Sequence, residues 1–346
     1  MALRQHSQAR IWLLTIALVA GFVLVCFFSL LWGARNLTAT DVLASLRLHA
    51  WWNLDNLQAS DDPMLHSVVA SRIWRTVSAV LSGGALACSG IVMQSMTRNP
   101  LADPGVLGIN AGAGLTVVFA ISAGLTQPST LLGSAFIGAS VACALIWFIQ
   151  WASRAGSDPL TLVLAGAAVS AGCGAIINAL MMTKGQSLDS FLRWMMGSVS
   201  GRDLEVIIPS ALAIVSGIVL VFAISPMLNG LLLGDDVALG LGIHVPLARF
   251  LGSITVVLTA GAATALVGPL AFVGIIVPYI LRAWGLRSVH RQLPAGMLLG
   301  AMTVTVADIV GRLVAPPGEI PAGVLVAVIG APLVILAVKR RAQVGI

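Results

Sequence analysis

The chain carries very little charge. Only 9% of its 346 residues are charged, 58% are hydrophobic, and the mean hydropathy is +0.99. Because a soluble domain carries about 25% charged residues, this composition excludes a soluble globular protein and indicates a polytopic membrane protein. The 36 glycines suit transmembrane helices that approach closely through small residues.

Several catalytic and metal-binding patterns are also absent. The only lysines are Lys184 and Lys339, and neither belongs to a phosphate loop of the GxxxxGK[ST] type. The four cysteines lie in apolar runs without CxxC spacing, which favours small core residues over disulfides or metal ligands. The histidines do not pair at ligand spacing, and neither HExxH nor a Ser/His/Asp arrangement is evident. We therefore expect no catalytic site, no metal and no cofactor on this chain. The scattered basic residues form no face for nucleic acid.

Apolar runs divide the chain into membrane spans. A span needs about 20 apolar residues, so we predict about ten transmembrane helices in a single all-α domain over residues 1–346. The first run is too long for a signal peptide and predicts a helix that starts in the cytoplasm. Basic residues are then in weak excess on the cytoplasmic side, in agreement with the positive-inside rule. The predicted spans are about 11–32, 72–96, 106–125, 131–151, 160–182, 204–225, 248–267, 270–285, 295–313 and 321–338.

A polar hinge, Arg-Asn-Pro-Leu-Ala-Asp-Pro-Gly, interrupts these runs at residues 98–105. Two prolines and a glycine cannot continue a helix. Lipid does not tolerate such open backbone, so the hinge must lie at a membrane surface or line a protein cavity. Asn99 offers a donor and an acceptor, and Leu101 can close a narrow pore by dewetting. The residues alone leave open both a gate and a plain helix–helix turn.

A second polar segment, residues 234–242, is too short to span a membrane. Asp235 and Asp236 in this segment suit a helix N-terminus, where negative charge complements the helix dipole. Asp308 lies inside the ninth predicted span with Arg312 one turn later. An ionisable residue in a span indicates function, whereas a pair at this spacing also forms a local salt bridge. We favour the structural role for Asp308.

The glycine patterns of the second and seventh spans are faintly alike. Gly84-Ala85 with Gly90 precedes the hinge, and Gly261-Ala262 with Gly268 precedes a broken eighth helix. With ten spans these two helices run in opposite directions, which predicts an inverted repeat whose interface carries a substrate path. The eighth helix is expected to break at Gly268-Pro269, Gly274 and Pro278.

The sequence resembles a known family over nearly its whole length. From Met93 to Ala113 it is similar to the turn between the second and third helices of FecCD-type permeases. These are membrane subunits of binding-protein-dependent ABC importers for ferric siderophores, haem and cobalamin. Further similar stretches follow in the family's order: Arg72-x-x-Arg75, Phe191-x-x-Trp194-x-x-Gly197-Ser198, Gly268-Pro269-x-x-Phe272-x-Gly274-x-x-x-Pro278, Ala307-Asp308-x-x-x-Arg312 and Glu319-x-Pro321-x-Gly323.

This resemblance implies a type II ABC importer permease and a role for each polar segment. It implies a cytoplasmic gate at Asn99, Pro100 and Leu101, together with a second turn at about 153–161. It implies a cytoplasmic coupling segment, about 226–247, that sits in a groove of an ATPase subunit. The residues expected to carry the coupling are Asp235, Asp236, Ala238, Leu241 and Gly242. The residues expected to dock a binding protein are Arg72, Arg75 and Arg312, with snorkelling to lipid head groups as the alternative.

The resemblance also implies partners and a cargo. The expected partners are ATP-binding cassette ATPase subunits, which bind the ATP, a periplasmic substrate-binding protein, a second permease subunit (identical or paralogous) and membrane lipid. The expected place is the bacterial inner membrane, with both termini in the cytoplasm. An iron(III)–siderophore complex is the favoured cargo, with haem or cobalamin as the alternative. An ion-coupled secondary transporter that uses Asp308 is a less favoured alternative. Where the family often has histidine, this chain has Tyr279.

Overall fold

The computed structural model describes residues 2–33, 37–47, 63–152, 159–183, 185–316 and 318–344. Seven helices in these ranges are long and apolar enough to cross a membrane, and shorter apolar helices begin at Ile109, Val273 and Ala322. Each of the ten predicted spans falls on one of these helices. The all-α polytopic fold is therefore confirmed. The inverted repeat within it stays a prediction.

The helices follow one another with short connections. The first half of the chain forms α1 (Ala2–Leu31), α2 (Ala39–Arg47), α3 (Pro63–Thr97), a 3-10 turn (Pro104–Leu107), α4 (Ile109–Ser122), α5 (Pro128–Ala152), α6 (Pro159–Thr183) and α7 (Gly185–Met195). The second half forms α8 (Leu204–Leu231), α9 (Asp235–Gly240), α10 (Val245–Val256), a π-helical turn (Val257–Gly261), α11 (Ala262–Val267), α12 (Val273–Ala283), α13 (Val289–Val314) and α14 (Ala322–Val344).

Helix α3 lies at the centre of the bundle. The apolar window of α3 is 78% buried, whereas that of α1 is 11% buried. It packs most extensively against α13 and also contacts α8, α10, α11 and α12. Small residues make this possible, because glycine and alanine let helix backbones approach closely within a membrane. The hinge at the end of α3 therefore continues directly from the core.

The contact between α3 and α13 depends on two glycines. A Cβ atom built on Gly300 would clash with the carbonyl oxygen of Gly83, and one built on Gly83 would clash with that of Gly300. The two backbones thus touch without intervening side chains. Replacing either residue must push the central pair of helices apart.

We expect Gly300→Ala to lower the thermal stability of the detergent-purified protein, by about 1–3 kcal/mol, the usual cost of overpacking. The measurement is the fraction that stays monodisperse on size-exclusion chromatography after heating. Gly172→Ala is the matched control, since a Cβ atom there meets nothing within 4 Å and alanine favours helix over glycine. Equal melting of the two variants would contradict the close packing.

Two predicted boundaries are wrong. The coupling segment does not start at residue 226, because α8 continues through Pro226 to Leu231. Leu228 and Leu231 are buried and hold this last part of α8 against the core, so the connection to α10 comprises residues 232–244. The eighth span breaks only between α11 and α12, where Gly268 and Phe272 have positive φ angles of 83° and 68°.

Gly274 and Pro278 both lie within α12, which corrects the prediction that they interrupt this helix. Gly274 is the second residue of the helix, and a Cβ atom on Gly90 of α3 would clash with its backbone. This glycine therefore serves close packing and does not form a break. Protein around a helix can satisfy the backbone groups that a proline frees within it, as at Pro278.

Candidate functional site

The hinge after α3 is a tight turn held by its own asparagine. Arg98 ends α3 in the left-handed region, with φ 52°, a common way for a helix to stop. The side-chain Oδ1 of Asn99 accepts a hydrogen bond from the Leu101 N–H at 3.0 Å. The carbonyl of Asn99 accepts one from the Ala102 N–H at 3.1 Å. Asn99, Pro100 and Leu101 thus form the protruding tip of the turn.

The second half of the hinge is anchored in the core. Asp103 caps the 3-10 turn, its Oδ1 accepting from the Gly105 N–H at 2.8 Å. Burial raises the pKa of the Asp103 carboxyl, and this hydrogen bond acts in the opposite direction. The Gln94 Nε2 group donates to the Gly274 carbonyl at 3.1 Å, which ties the end of α3 to α12. A movement of α12 would therefore be felt at the hinge.

Leu101 faces α12 and α14. Its side chain is 40% exposed and lines a small apolar cavity of about 70 Å³. A leucine at the edge of an apolar constriction can exclude water. The second gate turn expected at about 153–161 falls largely on residues outside the described ranges. The other residues that line the cavity are Ile275, Ile276, Tyr279, Ile280, Leu333 and Val334.

One carboxylate joins the hinge to the coupling segment. Asp235, in the first turn of α9, binds the Arg249 guanidinium at 2.9 and 3.0 Å. It also pairs with Arg98 of the hinge at 3.5 Å. Arg249 is only 4% exposed as a side chain, so α10 fixes the carboxylate, whereas Arg98 is at the surface. The two polar segments that the sequence singles out are therefore in contact.

The rest of the coupling segment presents an apolar face. Ala238 is buried, whereas Leu241 is exposed, and Gly242 turns the chain toward α10 with φ 77°. Exposed apolar side chains in such a cluster mark interaction sites when they lie outside a membrane. The members of this face are Leu232, Leu233, Val237, Leu239 and Leu241.

At the opposite end of α3, two arginines cap the C-terminus of α1. Arg72 donates from Nη1 to the carbonyls of Leu30 and Leu31, at 2.9 and 2.8 Å. Arg312 donates from Nη1 to the carbonyls of Ser29 and Trp32, both at 3.0 Å. The last carbonyls of a helix lack partners within it, and cations there also complement the dipole. Both arginines are buried.

Asp308 is the centre of an ion cluster beside this cap. Its Oδ1 accepts from the Arg75 Nε and Nη2 groups at 2.9 and 2.8 Å. Its Oδ2 pairs with Arg312 Nη2 at 3.1 Å. Arg75 also binds Glu319 at 2.7 Å. Asp308 is 2% exposed, whereas Glu319 is 39% exposed.

The predicted docking arginines thus have partners within the chain. Arg72 and Arg312 bind α1, and Arg75 binds Asp308 and Glu319, so their docking role stays a prediction. The expected salt bridge between Asp308 and Arg312 is present. Sequence reasoning missed the contribution of Arg75 to it, because no helix spacing relates residues 75 and 308. The contact between Arg98 and Asp235 has no spacing signal either.

Apolar helices around a buried central one, with polar turns joined at one end, define a multi-pass membrane transport protein. The chain belongs to the FecCD transport family, which it matches over residues 21–340. This family consists of transport permease subunits of ABC importers, not enzymes. Its members act with separate ATPase subunits, a substrate-binding partner and a second permease subunit.

Individual relatives and a solved structure agree with this assignment. The chain is 35% identical to the ferric enterobactin transport system permease protein FepD of Escherichia coli (strain K12), over 93% of this chain and 94% of that protein. It is 34% identical to the hemin transport system permease protein HmuU of Yersinia pestis, over 94% and 96%. A structure described as an inward-facing conformation of a putative metal-chelate type ABC transporter matches with a TM-score of 0.80 and 26% identity. That match covers 94% of this chain and 98% of the other.

Proposed function

We propose that this permease carries an iron(III)–siderophore complex across the bacterial inner membrane. A periplasmic binding protein delivers the complex, and ATP hydrolysed on a separate ATPase subunit drives the transfer. The N- and C-termini lie in the cytoplasm, on the side of the hinge and the coupling segment. The contact of Asp235 with both Arg98 and Arg249 is the observation that carries this proposal. It gives a movement of the coupling segment a direct route to the hinge.

The hinge acts as the cytoplasmic gate. Asn99 keeps the turn rigid through its hydrogen bond to the Leu101 N–H, so the tip moves as one piece with Arg98. Leu101 then leaves or enters the apolar cavity shared with α12 and α14. A closed gate excludes water at Leu101, and an open one admits the cargo.

The exposed apolar face of α9 is the surface that meets the ATPase subunit. Leu241 belongs to this face, and Ala238 packs inward and sets how α9 lies on the bundle. Asp236 and Gly242 shape the two ends of the segment. Because Asp235 is bound to buried Arg249, a push on the face turns α9 and α10 together and pulls on Arg98.

Docking of the binding protein takes place at the Arg75 cluster. Glu319 is the exposed partner of Arg75, so an acidic side chain of the binding protein can take its place. Arginine suits such an exchange, since its planar group binds carboxylates in two-point geometry. Arg72 and Arg312 support the site, because they hold the end of α1 beside it.

An ion-coupled secondary transporter is disfavoured by the surroundings of Asp308. Both of its oxygens are held by guanidinium groups, which a coupling ion would have to displace. Haem is the second candidate cargo, because identity to the hemin permease, 34%, is nearly that to the enterobactin permease, 35%.

The test is uptake into proteoliposomes that contain the chain, its ATPase and its binding protein, with ATP inside or withheld. We expect ATP-dependent uptake of labelled iron–siderophore, and leak of the cargo without ATP in Leu101→Ala. Haem uptake under the same conditions would keep the mechanism and replace the cargo. Uptake that follows an ion gradient and ignores ATP would overturn the proposal.

A further inference from the structure

We propose that a groove between α1 and α13 binds one anionic phospholipid. Two cavities adjoin along α13, of about 230 and 410 Å³. They share Pro294 and Leu298 as lining residues, so together they form a continuous channel along the helix. The combined groove is basic at one end and apolar at the other, which is the pattern of a phospholipid.

The smaller cavity supplies the head-group end. It is lined by His290 and Arg291 in the first turn of α13, and Arg287 lies four residues before Arg291. Both arginines are exposed, and they have no ion pair among the residues that the structure describes. The first acidic residue of the sequence is Asp41, so α1 brings no carboxylate to compete for them. The N-terminus of a long helix adds further positive charge.

The larger cavity supplies the acyl-chain end. It extends from Pro294 toward Ala301 between α1, α3, α8 and α13, with apolar side chains such as Phe22, Ile218 and Met297 as its walls. From Pro294 to Ala301 the helix rises by about 10 Å. Phe222 joins the two parts, since it lines the larger cavity and meets the His290 ring edge-on at 5.9 Å.

Charge decides for a lipid over a second copy of this chain. The chain has a net charge of +6, so a second copy would on balance repel these arginines. Anionic lipid attracts basic groups at the membrane surface. The apolar end of the groove lies against α1, the most lipid-exposed span, where acyl chains are already the surrounding solvent.

The proposal is tested by lipid binding to the full chain, independently of transport. Delipidated protein is titrated with phosphatidylglycerol or phosphatidylcholine, and bound lipid is counted by native mass spectrometry. We expect one tight phosphatidylglycerol site, and an affinity about 25-fold weaker in Arg287→Gln/Arg291→Gln, or about fivefold for each arginine. Arg193→Gln, which removes an exposed arginine of α7, is the matched control and should bind as the parent does.

A second variant tests the groove itself. Ala295→Leu narrows the smaller cavity, which Ala295 lines, and leaves both arginines in place. We expect it to weaken binding of the lipid without affecting helicity or monodispersity. Equal binding of phosphatidylcholine, an unchanged affinity in the double arginine variant, or the same loss in Arg193→Gln would each overturn the proposal. A response to inorganic phosphate alone would assign the arginines to a free anion and also overturn it.

Discussion

Asp308→Asn is expected to destabilise the permease by about 3–5 kcal/mol, the cost of breaking a buried ion pair. Asp308 is 2% exposed and holds two guanidinium groups that are themselves buried. Removing its charge leaves those cations without compensation, so the penalty is desolvation of Arg312 and Arg75. The measurement is thermal unfolding in detergent, with yield from the membrane as a second readout.

Two further variants show whether charge balance is the cause. Glu319→Gln removes the other carboxylate on Arg75, but Glu319 is 39% exposed and water replaces its contact, so we expect a loss of about 1 kcal/mol or less. Arg75→Gln/Asp308→Asn removes one charge of each sign and should recover part of the stability lost by Asp308→Asn. A double variant as unstable as the sum of its single changes would contradict this account.

This outcome also separates transport mechanisms. If Asp308 carried a coupling ion, the charge-balanced double variant would fold and yet transport nothing. We expect the double variant to retain ATP-dependent uptake wherever its stability returns. The sequence alone suggests that Asp308→Asn would largely spare uptake. The structure changes that expectation, because three buried groups depend on one carboxylate.

Asp235→Asn is expected to uncouple ATP hydrolysis from transport. Coupling between two sites is typically worth a factor of about 5 to 150, and we expect uptake per ATP hydrolysed to fall by that order. The fold should survive, because Asp235 lies at the surface of α9. Uptake and ATP hydrolysis are measured together in the same proteoliposomes, with Asp189→Asn on exposed α7 as the matched control.

Arg98→Gln gives the sharper test of the route. It breaks only the contact from the hinge to Asp235 and leaves the pair of Asp235 with Arg249 in place. We expect Arg98→Gln to uncouple uptake nearly as strongly as Asp235→Asn does. If Arg98→Gln transports normally, the hinge receives its signal through α12 and not through this carboxylate.

The sequence was sufficient for the helices and for the positions of the polar turns. Spans follow from hydropathy over about 20 residues, and the prolines of the hinge exclude a continuous helix whatever surrounds them. Boundaries failed where burial by the core outweighed a local signal. Pro226 resembles a helix end in the sequence, yet Leu228 and Leu231 are buried and keep α8 continuous.

The site was predicted only in part, because its main contacts join distant parts of the chain. Arg98 meets Asp235, and Arg75 meets Asp308, across separations that no periodicity reports. Only the Asp308–Arg312 pair, at a spacing of four, could be read from the sequence. The arginines were assigned to an outer surface because helix-end arginines usually reach water. The caps of α1 and the carboxylate of Asp308 offered them stronger partners.

The capping of α1 has a consequence for how the protein is made. The carbonyls of Ser29 and Trp32 are bound by Arg312, which lies 283 and 280 residues later in the chain. Helix α1 enters the membrane first, and its end remains without these hydrogen bonds until almost the whole polypeptide has been synthesised. In a two-stage view of membrane protein folding, helices insert before they pack. Closure of this cap therefore marks the completion of assembly, and a chain truncated before α13 would leave the end of α1 open.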